Sequence, residues 1–534
     1  MMKTPDGPAG AVLPHYVTTG AGQLRVWRAG SGPNLVVLPG LVMSAAVTAH
    51  AMAQAHPGWT LTVVELPGIG GSAQISPENP AQIAAEIHEG LAELGIHDAA
   101  LLAHDLSAPI ANALASRWPA PARLILLDGE AARQWVAGGV APPVLELRDD
   151  GTHLSALWTH FRDRSMLDAA DPARVGRRGA PLPTTQDLDT AVVAAAVRPT
   201  AYAALWSCCA AGLDTGLGAA DIASPAELHA RLALWAAQMN PASMVPARSQ
   251  GTSLRRDYLQ TPSGRVHMRR VGGGGRTLLM FHSAPGSAEP LEGLIQGLAR
   301  GREVIVCDYL GNGDSDKARG DIDIDMGVLA QHAHEIVDAL GLEVVDLFGT
   351  HTGAMVALEF AIAWPERTGR IVLEAPVLLD PAFLADILAH YLPPLLPDRW
   401  GTHLLRAWNM RRDMFLFWPW YRQTREAARS LGTPPLQTLH DWTVGLLKSG
   451  STYHLSYRAA FTYDTRARLP LLTRPALICA GPADMLVEGL ELARGLAPVG
   501  TVIEATPATV WYPGQSAEAV AASIAIYDDF LRRR

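Results

Sequence analysis

Short apolar runs alternate along the chain with longer stretches of helical periodicity, and this order occurs twice. Apolar runs of four or five residues between turn residues are typical of buried parallel strands, whereas apolar positions that recur every three to four residues indicate amphipathic helices. The pattern predicts an α/β fold with two doubly wound parallel sheets, one in each half of the chain. The predicted strand regions, some with the turn that follows, are 34–38, 63–70, 100–103 and 123–127, then 277–281, 305–313, 345–349 and 370–373.

The two halves also share residues at nearly constant spacing, which indicates an internal repeat. An offset of 246 positions relates the earlier matches and an offset of 250 relates the later ones, so a small insertion separates the two sets. We interpret this pattern as a tandem duplication. The matched segments are 88–95 with 334–341, Trp118-Pro119 with Trp364-Pro365, 151–154 with 401–404, and Arg162-Asp163 with Arg412-Asp413.

The second copy continues further than the first. Its apolar runs 475–480 and 501–504 precede a terminal helix, whereas the first copy has the segment 218–224 where the first of these strands is expected. We therefore expect the first copy to lack its last two strands. A long helical stretch in each copy predicts a cap. The predicted domains are a first, incomplete core (1–135), a first cap (136–243), a linker (244–253), a second core (254–379 and 471–534) and a second cap (380–470).

Two loops of the second copy resemble motifs of the α/β-hydrolase superfamily. Residues 282–286 read His-Ser-Ala-Pro-Gly, similar to the family's His-Gly-x-Pro oxyanion loop, and residues 308–315 resemble its Asp-x-Pro-Gly-x-Gly-x-Ser loop. The resemblance covers nearly all of the second copy and about two thirds of the first. It implies helical caps and a pocket bordered by His282, Ser283 and Ala284, where backbone N–H groups stabilise an oxyanion.

In this superfamily the nucleophile stands on a tight turn between a strand and a helix, the elbow, which reads G-x-S-x-G in esterases. The elbow of the second copy, 349–353, reads Gly-Thr-His-Thr-Gly, and G-x-S-x-G occurs nowhere in the chain. The sequence therefore argues against a serine esterase of the usual kind. His351 is predicted either to act as a general base or nucleophile, oriented by Thr350 and Thr352, or to fill the space of a lost serine in an inactive elbow.

The elbow of the first copy, 103–107, reads Ala-His-Asp-Leu-Ser. It resembles the His-Asp elbow of haloalkane and fluoroacetate dehalogenases and of epoxide hydrolases, in which the aspartate attacks the substrate and forms a covalent ester. Both elbow glycines are replaced in this copy. Asp105 is therefore interpreted either as such a nucleophile or as a structural carboxylate.

The resemblance also implies a histidine after the eighth strand and an acidic partner for it. The corresponding segment, 506–513, contains no histidine, and the last histidine of the chain is His454. The acid position is kept as Asp484, which is predicted either to set the tautomer of His351 or to serve only as a turn residue.

Three cap residues complete the candidate set: His403 is either catalytic or only part of a repeated helix start, and His454 and Tyr457 either contact a ligand or pack in the core of the cap. His403 lies in a Gly-Thr-His-Leu segment that recurs around His153 in the first copy. His454 and Tyr457 belong to an aromatic cluster in the second cap.

Length, charge and cysteine content limit the partners of the chain. Its 534 residues, 49% of them hydrophobic, are enough for two globular domains. The net charge of −9 without a basic track argues against nucleic acid. Because there is no leader pattern and no apolar run long enough to span a bilayer, we expect no membrane association and a cytoplasmic location. The four cysteines form no metal-binding pattern, and the sequence predicts neither metal nor cofactor.

We expect the second copy to hold the working site. The first copy is expected to pair with it like the second subunit of a homodimer, and the chain to act alone or as a homo-oligomer. The expected substrate is a small, largely apolar carbonyl or ester compound that undergoes hydrolysis, acyl transfer or lyase chemistry. The alternatives are a non-catalytic pseudohydrolase that binds a ligand or a protein, and an Asp105-dependent dehalogenase or epoxide hydrolase whose base comes from His153 or from the other copy.

Overall fold

The computed structural model describes residues 11–533 except 119–122, 172, 177–181, 214–219, 223–224, 243–252 and 318–322. These residues divide into two compact units. The first unit contains the described residues of 5–250 together with Pro397–Leu405, and the second unit contains those of 251–396 and 406–534. The segment Pro397–Leu405, which we predicted in the second cap, thus belongs to the first unit. The predicted linker lies outside the described residues except for Ser253.

A mixed seven-stranded sheet forms the centre of the first unit. Its strands are β1 (Leu13–Thr19), β2 (Gly22–Ala29), β3 (Asn34–Leu38), β4 (Thr60–Val64), β5 (Ala100–His104), β6 (Arg123–Leu127) and β7 (Ala220–Ile222). They are arranged in the order β1-β2-β4-β3-β5-β6-β7. β1 and β2 form an antiparallel hairpin at one edge, and the strands from β3 onwards run parallel.

The strand β7 corrects one sequence-based expectation. We predicted that the first copy lacks its last two strands, but β7 pairs in parallel with β6, where the first of them belongs. Its three residues lie in a segment rich in glycine and alanine, which gives no strand signal. Within the described residues of this unit, no strand follows β7. Within the described residues, the sheet of the first unit therefore has one strand fewer than that of the second.

Helices cover the sheet of the first unit, and its apolar core lies between them. Leu35 and Val37 of β3 are buried together with Ala49 and Leu232 from two of these helices. Asn79 caps the second helix by accepting the N–H of Gln82 at 2.9 Å. The helices are α1 (Ala45–Ala55), α2 (Pro80–Glu93), α3 (Ala108–Ala115), α4 (Gly129–Ala137), α5 (Thr152–Met166), α6 (Thr185–Ala196), α7 (Pro199–Gly212) and α8 (Pro225–Ala236).

The second unit contains an eight-stranded sheet of the same strand order with one strand more. Its strands are β8 (Arg255–Thr261), β9 (Gly264–Gly272), β10 (Leu278–Phe281), β11 (Glu303–Asp308), β12 (Val345–Thr350), β13 (Thr368–Glu374), β14 (Ala476–Ala480) and β15 (Val502–Ala505). They follow the order β8-β9-β11-β10-β12-β13-β14-β15 and are parallel from β10 onwards. The carboxyl ends of the parallel strands meet at one edge, where ligands bind in open α/β sheets.

Five helices, α12 to α16, stand between β13 and β14, and the terminal helix packs Tyr527 and Phe530 against Leu278 and Phe348 of the sheet. The helices of the second copy are α9 (Glu292–Leu298), α10 (Met326–Ala339), α11 (Thr352–Ala363), α12 (Pro381–His390), α13 (Thr402–Leu416), α14 (Leu436–Lys448), α15 (His454–Thr462), α16 (Thr465–Arg468), α17 (Gly489–Leu496) and α18 (Ala517–Arg532). Among the described residues, no single helix has the length and apolar character needed to cross a membrane. Only the bent pair of α6 and α7 meets these criteria jointly.

Candidate active site

His351 occupies the sharp turn between β12 and α11. Its backbone has φ 49° and ψ −117°, a conformation that is strained for any residue with a side chain. The His351 N–H donates to the carbonyl of Glu374 at 2.9 Å, which helps to hold the turn. The neighbouring glycines are required by space, because a Cβ atom at Gly349 would lie 2.1 Å from the carbonyl oxygen of Gly353. The turn therefore has the geometry that the sequence predicted for an elbow.

Asp484, in the loop after β14, orients the ring of His351. The Nε2 atom of His351 lies 3.0 and 3.1 Å from the two carboxylate oxygens, which also accept the N–H of Leu486 at 2.9 Å and the hydroxyl of Thr509 at 3.1 Å. Burial by itself would raise the pKa of Asp484, but the adjacent His351 ring and these hydrogen bonds outweigh burial and lower this pKa. Because an ionised carboxylate only accepts hydrogen bonds, Nε2 of His351 carries a proton.

The other ring nitrogen, Nδ1, is then an acceptor and a potential base. Within the described residues this atom has no hydrogen-bond partner, and His351 lines a cavity of about 700 Å³ including its open mouth. The pairing with Asp484 stabilises the positive charge that appears when Nδ1 takes a proton. The walls of the cavity are largely aromatic, with Tyr391, Phe415, Trp442, Tyr457, Trp511 and Tyr512.

The loop after β15 supports the dyad although it has no histidine. The ring of Trp511 meets that of His351 edge-on, with centroids 5.1 Å apart and planes at 78°. Its Nε1 donates to Glu374 at 2.8 Å and to the Thr350 hydroxyl at 2.9 Å, so the indole is locked in place. Burial raises the pKa of Glu374. This network fixes the position of Trp511 beside His351, and of its members we had singled out Thr350 but neither Trp511 nor Glu374.

Two backbone N–H groups stand at the chain positions that supply oxyanion donors in this fold, one in the loop after the first parallel strand and one directly after the elbow residue. Ala284 stands three residues after the end of β10 and Thr352 follows the elbow, and neither N–H has a partner in the described part of the chain. The equivalent N–H groups of the first copy belong to Leu41 and Leu106, and both donate to Oδ1 of Asp105, from Leu41 at 3.3 Å. In the first copy this pair of N–H groups thus binds a carboxyl oxygen.

Asp105 fills its own oxyanion site. It takes a positive φ of 42°, like His351, and burial raises its pKa to about 7. A Cβ atom at Gly40 would lie 2.0 Å from Oδ2 of Asp105, so the carboxyl group fits only beside a glycine. His153, offered by the sequence as its base, accepts the N–H of Arg148 at 3.3 Å. No hydrogen bond joins Asp105 to a histidine among the described residues.

The structure brings most, but not all, of the predicted site residues together. Four of them line the cavity with His351, namely His282, Ser283, Ala284 and Tyr457. Thr350 and Thr352 are buried beside His351 and do not line the cavity. His403 and His454, predicted at the pocket, are not part of its wall either. His403 belongs to the first unit, where its Nε2 lies 2.8 Å from Asp189, and His454 begins α15.

Sequence reasoning missed Arg411, a buried arginine of α13 that lines the cavity. One signal was present in the repeat. At the offset of 250 that relates the caps, Phe161 stands opposite Arg411, so the charge is a feature of the second copy only.

A group of potential metal ligands lies elsewhere in this unit. Donor atoms of His267, Asp308 and Asp314 lie within 4.8 Å of one another. The oxygens of Asp308 already accept the N–H of Ala288 and that of Asp314 at 3.0 Å, and Oδ2 lies 2.9 Å from Nδ1 of His267. These bonds brace the loop after β10 against the loop after β11, which is a structural use of the carboxylate.

Comparison with known proteins places the second copy in a family. Residues 276–499 match the family model described as the alpha/beta hydrolase fold. A 2-hydroxymuconate semialdehyde hydrolase from a Pseudomonas species is 38% identical over 104 residues, which cover 19% of this chain and 36% of the relative. A 2-hydroxy-6-oxo-2,4-heptadienoate hydrolase from Pseudomonas putida is 36% identical over 116 residues, covering 21% and 41%. The chain spans about a third of the length of the curated relatives it matches.

Solved structures are similar over about half of this chain. Epoxide hydrolase A from Mycobacterium thermoresistibile shares 22% identity with a TM-score of 0.41, over 52% of this chain and 98% of that chain. The enol-lactonase from Burkholderia xenovorans shares 20% identity with a TM-score of 0.39, over 52% and 100%. From the sheet topology, the elbow and the family match together, residues 276–499 belong to the α/β-hydrolase family, and the chain carries the α/β-hydrolase fold.

Proposed function

We propose that the second copy is a hydrolytic enzyme in which His351, oriented by Asp484, acts as general base on a small carbonyl or ester compound. The observation that carries this proposal is the hydrogen-bonded pair itself, at 3.0 Å, on the wall of a cavity and with Nδ1 left without a partner among the described residues. A buried carboxylate, a histidine and a free acceptor nitrogen are the parts of a general-base site.

Because the elbow has no serine, the nucleophile in this proposal is water. Nδ1 of His351 takes a proton as the water oxygen attacks the carbonyl carbon, and Asp484 stabilises the resulting imidazolium. The tetrahedral oxyanion accepts hydrogen bonds from the N–H groups of Ala284 and Thr352. When this intermediate collapses, the bond to the leaving group breaks and the leaving group takes the proton from His351. The products are a carboxylic acid and the protonated leaving group.

The cavity walls favour a substrate with an apolar body. The ring of Trp442 stacks on that of Trp511, with centroids 5.3 Å apart, and its centroid lies 4.9 Å from that of Phe415. The three rings together form a continuous aromatic wall. The relatives named as hydrolases of unsaturated oxo acids and semialdehydes support a carbonyl compound as the reactive group. The Asp105-dependent alternative has less support, because both oxyanion N–H groups of the first copy are engaged by Asp105 itself.

The test is turnover of a panel of activated esters, thioesters, lactones and haloacids by the whole chain. We expect His351→Ala to lower the rate of ester or lactone hydrolysis by about 100-fold or more. The matched control is His454→Gln, which removes a histidine of the second cap that does not line the cavity, and it should leave the rate unchanged.

Two results would overturn the proposal. Equal rates for wild type and His351→Ala would remove His351 from the chemistry. No turnover of any ester, thioester or lactone by the wild type would favour the non-catalytic alternative. Halide release that is lost in Asp105→Asn would instead support the dehalogenase reading.

A further inference from the structure

Arg411 is a buried cation in the cavity, and none of its hydrogen-bond partners carries a negative charge. The residue is 7% exposed and lies on the cavity wall. One Nη atom donates to the carbonyl oxygen of Pro285 and the other contacts the sulfur of Met414 at 3.5 Å. Its buried Nε atom has no partner in the described part of the chain.

Other buried arginines of this protein show what such a group ordinarily requires. Three of the four other buried arginines are paired with a carboxylate: Arg25 with Glu65 at 2.7 Å, Arg269 with Glu292 at 2.8 Å, and Arg302 with Asp528 at 3.0 Å. Removing a charge from water is costly unless an opposite charge and hydrogen bonds compensate. Burial lowers the pKa of Arg411, yet a guanidinium stays protonated in proteins. The compensating anion is therefore expected from the ligand.

Two tyrosines add a neutral donor to this part of the cavity. The hydroxyl of Tyr457 donates to that of Tyr391 at 3.3 Å, and both side chains line the cavity with Arg411. Two hydroxyl groups hold two protons and this bond uses one of them, so one O–H remains for a ligand oxygen. The Arg411 guanidinium also lies 5.9 Å from the centre of the Trp442 ring, which limits its movement.

The other charged residues of the wall do not neutralise Arg411. Arg429 donates to the carbonyl oxygens of Met414 at 2.6 Å and Ala483 at 2.9 Å, so two of its donors are bound to the main chain. The carboxylate of Asp441 accepts a hydrogen bond from the side-chain amide of Gln437, which lies four residues earlier on α14, at 2.8 Å. Two arginines and one aspartate therefore line the cavity, and the described partners of Arg411 include no carboxylate.

We propose that Arg411, with the Tyr391–Tyr457 pair, binds a carboxylate group of the ligand, so the substrate is a carbonyl or ester compound that also carries a carboxylate. This inference rests on the proposed function, because the same cavity holds His351. A planar guanidinium and a hydroxyl donor match the two oxygens of a carboxylate. The first copy, with Phe161 at the equivalent position, has no such recognition element.

The experiment measures binding and does not depend on turnover. Isothermal titration of the whole chain compares phenylacetate and 4-phenylbutyrate with their uncharged amides, which have the same shape. We expect wild type to bind the acids at least about tenfold more tightly than the amides. Arg411→Met should remove this preference and Arg411→Lys should keep part of it. Arg406→Gln, an exposed arginine of the same helix, is the control and should keep all of it.

Several outcomes would overturn the inference. They are equal affinities for acid and amide in wild type, no saturable binding of either acid, an undiminished preference in Arg411→Met, or tighter binding of phenyl phosphate than of phenylacetate. If Arg411→Met fails to fold, the acid-to-amide ratio of wild type and the Arg411→Lys variant still decide. His351→Ala separates the two proposals, since it should lose turnover and keep the preference for acids.

Discussion

The carboxyl group of Asp105 permits a quantitative prediction for the variant Asp105→Asn. Burial raises the pKa of this group from 3.8 to about 7 in the folded chain. A tenfold change in proton affinity corresponds to about 1.4 kcal/mol, so the rise corresponds to about 4 kcal/mol as an upper value. Asparagine keeps the oxygen that accepts the N–H groups of Leu41 and Leu106 and fits the same space beside Gly40. The variant therefore removes the titration and little else.

The sign of the effect follows from where the proton resides. Between pH 4 and pH 7 the folded chain keeps the proton of Asp105 while the unfolded chain has released it, so the stability of wild type falls as the pH rises. The extra stability of the protonated form is fully present below about pH 4 and is lost as the pH passes about 7. Asp105→Asn should thus match wild type in acid and become more stable than wild type by up to about 4 kcal/mol at pH 8.

The assay must report on the first unit alone, because a chain of two units need not unfold in one step. Hydrogen exchange of peptides from β3 and β5, measured from pH 5 to pH 8 and corrected for intrinsic exchange rates, gives the local free energy of unfolding. Asp98→Asn, an exposed aspartate of the same unit, is the control and should not change the profile. A difference between Asp105→Asn and wild type that is the same at every pH, or a variant that is less stable at pH 8, would refute the reasoning.

Two further predictions concern the second copy. Asp484→Asn should lower turnover by about 100- to 10,000-fold, because a neutral amide neither selects the tautomer of His351 nor stabilises the imidazolium. Added carboxylate compounds should not restore the activity of this variant. An unchanged rate would show that Asp484 serves only as a turn residue. Trp511→Phe removes the donor to Glu374 and Thr350 and should lower the free energy of unfolding of the second unit by about 1–3 kcal/mol. The loss should grow as the pH rises through the raised pKa of Glu374, because the ionised carboxylate is the stronger acceptor. Urea denaturation followed by hydrogen exchange in β13 measures it, and a loss that is independent of pH would contradict the assigned role of Glu374.

Except for β7, the parallel strands could be predicted from the sequence because they contain apolar runs. The runs 34–38 and 123–127 coincide with β3 and β6 to the residue. The hairpin of β8 and β9 could not be predicted in this way. It reads RRDYLQT and GRVHMRRVG, and its arginines obscure the apolar alternation because they lie at the edge of the sheet and are half-buried or ion-paired. β9 belongs to the sheet because it pairs with β11, and β8 because it pairs with β9, not because either is an apolar run.

Some residues of the candidate site could likewise be predicted from the sequence, and others could not. The partnership of His351 and Asp484 was one of the two predicted alternatives for each residue, since both follow strands whose ends meet in this fold. Arg411 and Trp511 were not singled out, because their role depends on loops and helices that come together only in three dimensions. His403 was misplaced for a related reason. A repeated Gly-Thr-His-Leu segment predicts where a helix begins, but it does not predict which face of the helix is buried or which unit the segment belongs to.

Comparison of the two elbows explains why only one of them is open to a ligand. Both hold a residue with positive φ directly before the N–H group of the next residue, and both have a second N–H group from the loop after the first parallel strand. The short carboxyl group of Asp105 folds back onto these two N–H groups and occupies them. The imidazole ring of His351 is instead directed to Asp484, 133 positions further along the chain, and leaves the N–H groups of Ala284 and Thr352 without an internal acceptor. The side chain at the elbow thus determines whether the anion site is filled by the protein or by a substrate, and a carboxylate at position 351 would be expected to close the second site in the way that Asp105 closes the first.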